Sequence, residues 1–476
     1  MILATYYSLV CLSCAVSFID WRKGLLLCLV IDVVRDPMRK LVPGQPVHMT
    51  LAVTLVWLVV FLAAATQERH RLGLLTRSYP ELRTAAKLII VALIPAAILV
   101  VMSYPGGWQL AAIGSVSYLG PFVGVVIGFL YARTDRDVKR FLAVYALLNA
   151  VILAGALFEF CGWPVPALGG LEKQHWIRTR TSAEDAVKLM CGFFRSPDGL
   201  GQHAASVLMF AVVLGLANRG AGRWRWLAVL PYAAVCLLLS GRRKMVVMPL
   251  ILAAVYLASS FRHKARAIRL AAVGAAVFGA LGVFWLSQQL GIGEAYFAYA
   301  QSSKAEGVAR IRGSALMGAI ETVRQHGILG CGLGTATQGA QHLDVSGIST
   351  TRRGQGVYAW QEDGVSRLVM ELGVIGTILV FVAGLFLARS AVRAVRETPA
   401  GGGTYVLAVG LAGIVAANLA SFAVSHQAYS GDPSTVLIVT QCFGMLLACP
   451  QLHAANAVAG VASGARSPHV IEGAFG

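Results

Sequence analysis

Charge is what this sequence lacks. Only 13% of its 476 residues are Asp, Glu, Lys or Arg, about half the share of an ordinary soluble domain. Such scarcity excludes a soluble enzyme and a disordered chain alike, and it accompanies 57% hydrophobic residues and a mean hydropathy of +0.69. Acid is scarcer than base: 22 Asp and Glu stand against 40 Lys and Arg, for a formal net charge of +18. That excess does not indicate nucleic acid, because the basic residues lie in short clusters between apolar runs and form no aromatic-interleaved basic domain. The nine cysteines form no metal framework: Cys11 and Cys14 have CxxC spacing but sit inside an apolar run, where thiols pack or face lipid. Cys161, Cys191 and Cys331 are the ones placed to meet an oxidising compartment, and a Cys161 to Cys191 bridge is one arrangement open to them. His175, His203, His326, His342 and His426 are scattered without ligand spacing, which argues against zinc. The first apolar run has no basic stretch before it and no clear small-residue cleavage site after it, so it reads as a retained helix.

What the sequence has in abundance is apolar runs. Crossing a hydrocarbon core of about 30 Å takes roughly 20 helical residues, and such runs fall near residues 2–19, 48–65, 88–102, 109–131, 141–160, 203–217, 226–240, 245–260, 270–289, 364–388, 404–424 and 434–450. The expected fold class is therefore an all-α polytopic membrane protein of about 12 transmembrane helices. Residues 24–34 are too short to cross comfortably and read as a half-helix or re-entrant piece; if they cross, the count is 13. The expected organisation is transmembrane helices over 1–289 with an external loop at about 161–202, a long external loop over 290–363, further spans over 364–450, and a small, polar, disordered tail over 451–476. The Ala- and Gly-rich stretch 272–283 suits close helix packing.

Orientation follows from the short loops. Basic clusters occur at Arg69, Arg71, Arg77, Arg83 and Lys87; at Arg133, Arg136, Lys139 and Arg140; at Arg219, Arg223 and Arg225; at Arg262, Lys264, Arg266 and Arg269; and at Arg389, Arg393 and Arg396. These loops alternate, so they share one side, which the positive-inside rule makes cytoplasmic. Segments 161–202 and 290–363 then lie outside. Arg22, Lys23 and the run from Arg35 to Lys40 conflict with this scheme if residues 24–34 do not span.

Several charged residues on the outer side are candidates for chemistry. Arg242 and Arg243, in LLSGRRKM, occupy a short connection that the topology rule expects to be poor in base. An anionic ligand would explain them, because guanidinium groups fork onto phosphate and keep their proton; snorkelling to lipid headgroups is the ordinary alternative. Arg310 and Arg312 begin a stretch whose Leu316, Ile320 and Val323 have helical spacing, suggesting an amphipathic helix on the membrane face. Arg195, in FFRSPDGLGQH, precedes a span, and Arg367 follows the acid pair Glu362 and Asp363 on another. An acid pair beside arginines can supply a general base, although Asp363 is equally suited to cap a helix. The glycines of GILGCGLGTATQG allow tight turns but match no phosphate-loop fingerprint.

Together FFRSPDGLGQH, LLSGRRKM, ARIRGSALMGAIETVRQHGILGCGLG and WQEDGVSRLVMELGVIG resemble, in order and spacing, the O-antigen ligase and polymerase superfamily of Wzy-like membrane enzymes, over roughly the C-terminal 60% of the chain. LLSGRRKM is similar to the family's Ser-Gly-x-Arg element, which falls on Arg243; the next family arginine falls on Arg312. His326 and Gly327 stand where the family has a His-Pro pair. Glu362 and Asp363 stand where it has His and Asn. The resemblance implies a GT-C-like architecture and a pyrophosphate held by Arg243 and Arg312; Arg195, Arg242, Arg310 and Arg367 are further candidates for that anion, and Glu362 or Asp363 for the base. It also implies an inverting glycosyltransferase that polymerises undecaprenyl-pyrophosphate-linked oligosaccharide repeats at the periplasmic face of a bacterial inner membrane. Donor and acceptor are both lipid-linked, a chain-length regulator is a candidate partner, and no cofactor, metal or nucleic acid is called for. A ligase acting on a lipid or protein acceptor uses the same chemistry. Rival classes are a lipid-linked sugar transporter or flippase, and a metal-dependent glycosyltransferase using Asp32 or Asp36.

Overall fold

The computed structural model describes residues 1–171, 177–179, 186–218, 220–263, 317–343, 345, 348–349, 357–358, 361–400 and 402–464. The apolar runs within them fold as helices: α1 (Ile2–Ile19), α2 (Trp21–Lys40), α3 (His48–Gln67), α4 (Arg69–Ser78), α5 (Pro80–Ser103), α6 (Gly107–Tyr131), α7 (Asp135–Phe160), α8 (Pro197–Ala217), α9 (Ala221–Leu239) and α10 (Arg243–His263). After them come α11 (Met317–His326), α12 (Gly364–Glu397), α13 (Gly403–Val424), the single turn α14 (Gln427–Ser430) and α15 (Pro433–Gly464). The described strands are two- and three-residue ladders only. Nine of the described helices are long and apolar enough to cross a membrane, making this a polytopic membrane protein. Their two faces differ as a lipid-bathed bundle requires: α5 turns Ile90, Ile94 and Ile98 outward while Ile89, Leu93 and Val100 pack inward. The expected span at 270–289 and the small-residue stretch 272–283 lie outside the described residues.

Contacts between helix ends divide the bundle into two ends. At one, Arg22 pairs with Asp137 at 3.4 Å and reaches the carbonyl of Tyr131. Arg71 donates to the Leu130 and Ala132 carbonyls, Arg133 pairs with Glu68, and Lys139 donates to the Ala217 carbonyl. Arg393 of α12 meets Ser78 and Glu81 at the start of α5, and Thr404 of α13 bonds Asp135. This basic end gathers the Arg and Lys clusters of successive loops. Segment 189–196, the α9–α10 corner and the start of α12 meet at the far end.

Four expectations change. Residues 21–40 form one 20-residue helix packed antiparallel to α1, not a half-helix over 24–34. Hydropathy underrates this helix because Asp32, Arg35, Asp36 and Arg39 lower its mean, yet each is nearly fully buried among polar partners. Arg22 thereby falls at the basic end, beside Asp137, while the Arg35–Lys40 run stays at the far end, where Arg35 and Lys40 are taken up by buried carboxylates and backbone carbonyls. A short helix, α4, separates α3 from α5 at the basic end. Helix α12 runs to Glu397 rather than 388 and is interrupted at Gly373, whose φ of +67° is closed to most side chains. The segment after α11 repairs the interruption: Cys331 N–H donates to the freed Met370 carbonyl at 2.7 Å, and Val374 N–H donates to Ile328 O at 2.9 Å. Irregular backbone survives at membrane depth only with such protein partners. Finally, α15 continues through Pro450 to Gly464, where a disordered tail from 451 was expected; the Ala-rich run after the proline sustains the helix.

Candidate functional site at the far end

The far end is built on a corner. Helix α9 stops where Ser240 turns its hydroxyl back onto Leu237 O at 2.5 Å and also accepts the Arg242 amide at 3.2 Å. The Ser-Gly of LLSGRRKM is thus the hinge that delivers Arg242 and the residues after it to the N-terminus of α8. There Ser196 caps the helix by accepting Gly199 N–H at 3.3 Å, and Pro197 occupies the first turn. Asp198 receives Arg242 Nη2 at 2.6 Å and Lys244 Nζ at 2.9 Å, and Lys244 also donates to Ser425.

Glu362 joins from the opposite direction. Its side chain is exposed and lies within electrostatic reach of the Lys244 ammonium. The turn that presents it is latched by His426, whose backbone N–H donates to Glu362 O at 3.2 Å and whose Nε2 lies 2.8 Å from Gln361 O. A carbonyl only accepts, so Nε2 carries the proton, and Nδ1 accepts from the Ser430 hydroxyl at 2.8 Å. Burial pushes the His426 imidazole down to about 3, keeping it neutral. Asp363 accepts Ser366 N–H at 2.7 Å as the N-cap of α12 and is buried, which raises its carboxyl above the ordinary range. Its carboxylate is spent on the helix, whereas the Glu362 side chain is exposed to the outer surface.

Arg195 belongs to segment 189–196, which has no regular structure. Its guanidinium is half-buried and makes no hydrogen bond or ion pair among the described residues, although Asp198, Asp36 and Asp432 lie within electrostatic reach. Arg195, Asp198, Arg242, Lys244 and Glu362 therefore form a continuous polar group in which cations outnumber carboxylates.

The chain matches no established protein-family model and no curated protein sequence.

Arg310 and Arg312 lie outside the described residues, as does the side chain of Arg243. The expected amphipathic helix is present in its described part as α11, with Met317 and Ile320 exposed. Gly327, after it, has a φ of +77°, which the proline of the family's pair could not adopt. Arg367 departs from expectation. It is 3% exposed and its Nη2 donates to Ser117 and Thr337 hydroxyls, each at 2.9 Å, beside Glu371 at 3.4 Å. Glu371, fully buried, also accepts from Tyr118 at 2.7 Å and from Thr337 and the Ala336 amide. Arg367 is thus committed to pinning the glycine segment between α6 and α12, and Glu371 is not near a helix end but inside the bundle.

Asp32 and Asp36 are likewise occupied. Arg35 reaches Asp32 at 3.0 Å, Asp36 at 3.2 Å and Asp432 through two nitrogens at 3.1 and 2.9 Å. All four side chains are at most 8% exposed. This arrangement surrounds a guanidinium rather than leaving carboxylates to converge on a cation, and among the described residues no cluster of His, Cys, Asp or Glu suits a metal. Cys161 and Cys191 are both free thiols, the first exposed and the second buried.

Sequence reading missed Asp198, Lys244, His426 and Asp432. Asp198 and Lys244 were visible as neighbours of candidate arginines, but nothing in the order of residues says that they pair. The carboxylates and Arg35 of α2 had a readable signal: ionisable residues three and four apart inside an apolar stretch.

Proposed function

We propose that the far end is a diphosphate-handling site and that the protein is an inverting glycosyltransferase that polymerises undecaprenyl-pyrophosphate-linked oligosaccharide repeats. The observation that carries this reading is the meeting of three distant segments, around Arg195, Arg242 and Glu362, at the bundle end opposite the basic clusters. By the positive-inside rule that end faces out of the cytoplasm, which supports a site on the periplasmic side of a bacterial inner membrane; a GT-C-like architecture is part of the same proposal.

In this mechanism a sugar hydroxyl of one lipid-linked repeat attacks the anomeric carbon of another. The new glycosidic bond forms as the bond from that carbon to the diphosphate oxygen breaks, the hydroxyl proton passes to Glu362, and undecaprenyl pyrophosphate leaves with both bonding electrons. Arg195 and Arg242, with Arg243 and Arg312 from the family resemblance and Arg310 beside the latter in sequence, offset the charge that develops on the leaving group. General-base help from Glu362 is worth roughly two to four orders of magnitude in rate. The test is Glu362→Gln in a strain lacking the native gene. We expect the variant to reach the membrane at the normal level, polymer to vanish and single lipid-linked repeats to accumulate; long polymer from this strain would remove Glu362 from the base role. A single capped product from the native protein would favour a ligase.

Two observations favour a transporter: the buried Arg35 cluster and the interrupted helix α12 are features of ion-coupled carriers. Under that reading loss of the protein traps lipid-linked repeats on the cytoplasmic leaflet, whereas under the polymerase reading they accumulate on the outer one. Accessibility of the repeats to a sugar-specific lectin in spheroplasts separates the two.

A further inference from the structure

Segment 189–196 has no helix or strand to hold it, so its backbone polar groups need other partners. Charged side chains from two helices supply them. Glu159, near the end of α7, accepts the Cys191 and Gly192 amides at 2.8 and 2.7 Å. Lys40, the last residue of α2, donates to the carbonyls of Gly169, Gly192 and Phe194 at 2.5, 2.9 and 2.6 Å. Asp36, one helical turn before it, accepts the Arg195 amide at 3.2 Å, and Asp36 is itself fixed by Arg35. Three donors is the full complement of an ammonium group, and Lys40 spends two on this segment and the third on Gly169, tying the segment to the turn after α7. The Arg195 guanidinium, by contrast, emerges half-buried and without a side-chain bond among the described residues.

We propose that Lys40 and Asp36 are positioning residues whose work is to fix the Arg195 guanidinium at the rim of the α8 N-terminus, where it meets a prenyl-linked diphosphate. This deepens the diphosphate reading and rests on it. The ligand it commits to is the diphosphate group of a polyprenyl lipid, recognised by a guanidinium fork. Within segment 189–196 Lys40 and Asp36 touch only backbone atoms, so the proposal has their effect on affinity pass through Arg195.

The test measures binding to the full-length protein in detergent with farnesyl diphosphate, farnesol and inorganic pyrophosphate as probes, using the native protein, Lys40→Met, Arg195→Ala and the double variant. Farnesyl diphosphate should bind more tightly than either partial probe; tighter binding by pyrophosphate would replace the lipid with a free anion as the ligand. Lys40→Met should weaken farnesyl diphosphate binding roughly tenfold, the scale of one charge-assisted hydrogen bond. Arg195→Ala should weaken it at least as much, and Lys40→Met should add nothing further in the Arg195→Ala background, because residues that act through one another are not additive. Lys40→Arg, which keeps the charge and the donors, should restore most of the affinity and thereby separate positioning from a general loss of folding. Unchanged affinity in Lys40→Met, or independent addition of the two effects, overturns the positioning role while leaving the diphosphate site intact. Failure of the folded native protein to bind farnesyl diphosphate overturns both.

Discussion

At the scale of the residue, the far end separates acids and bases by what their partners leave over. Asp363 and Glu362 are adjacent, yet one carboxylate closes the first turn of α12 and the other is exposed. Asp363→Ala should cost about 1 kcal/mol of stability, as loss of an N-cap does, and Asp363→Ser should recover most of it with activity retained; a melting series in detergent decides. A catalytic Asp363 would instead lose activity in the serine variant. His426 carries a pH dependence. Its folded form resists protonation down to about 3, from an ordinary value of 6.5, so the unfolded chain binds the proton first and stability falls as pH drops below about 6.5. Between pH 6.5 and 4.5 this group alone should remove about 2–3 kcal/mol. His426→Gln keeps a donor and an acceptor but cannot titrate, so its thermal unfolding should show a shallower pH slope; an unchanged slope would assign the dependence elsewhere. The candidate residues were legible in the sequence, Arg242 as a base on the side expected to be poor in base and Glu362 as an acid beside arginines. Their pairings were not, because Asp198 and Ser425 reach Lys244 only after three helices have packed.

Elements show where hydropathy succeeds and where it misleads. Apolar runs such as α3, α5 and α13 were readable because nothing but lipid and other helices has to surround them. Helix α2 was not, since its Arg35 is paired with Asp432, nearly 400 residues away in the chain, as well as with Asp32 and Asp36 of its own helix. Arg35→Met should be strongly destabilising, by about 3–5 kcal/mol, because three buried carboxylates lose their counter-ion; a detergent melt or the yield of folded protein reads this, and normal yield would show that the carboxylates take up protons at little cost. The interruption of α12 is a second feature no apolar run reveals. A Cβ on Gly373 would stand 2.5 Å from the Ile328 carbonyl with φ at +67°. Gly373→Ala should therefore lower the melting temperature by the equivalent of about 1–3 kcal/mol. Gly384→Ala, in the same helix with open space around it, should be neutral or slightly stabilising; equal behaviour of the two would remove the strain argument.

The whole molecule is organised as a bundle with unlike ends, and its sidedness rests on a simple physical asymmetry. The basic end gathers the arginines and lysines of successive short loops, and it is such clusters that hold a loop in the cytoplasm during insertion. Charges at either end can also pair, as Arg71 and Arg133 do at the basic end and Lys40, Arg242 and Lys244 do at the far end. Read this way, Cys161, exposed just past α7 beside the segment that bears Arg195, lies outside, and Arg77 of α4 lies inside. A variant whose only cysteine is Cys161, the rest replaced by alanine, should react in intact spheroplasts with a maleimide that cannot cross membranes. A variant whose only cysteine is introduced by Arg77→Cys should react only after permeabilisation. The reverse pattern would place Glu362 and Arg242 in the cytoplasm, where an external polymerase cannot work. Labelling of both before permeabilisation would mean that the two sites are not on opposite sides, contrary to the division of the bundle into ends. Because the measurement needs no substrate and no activity, it tests the architecture separately from the chemistry proposed for it.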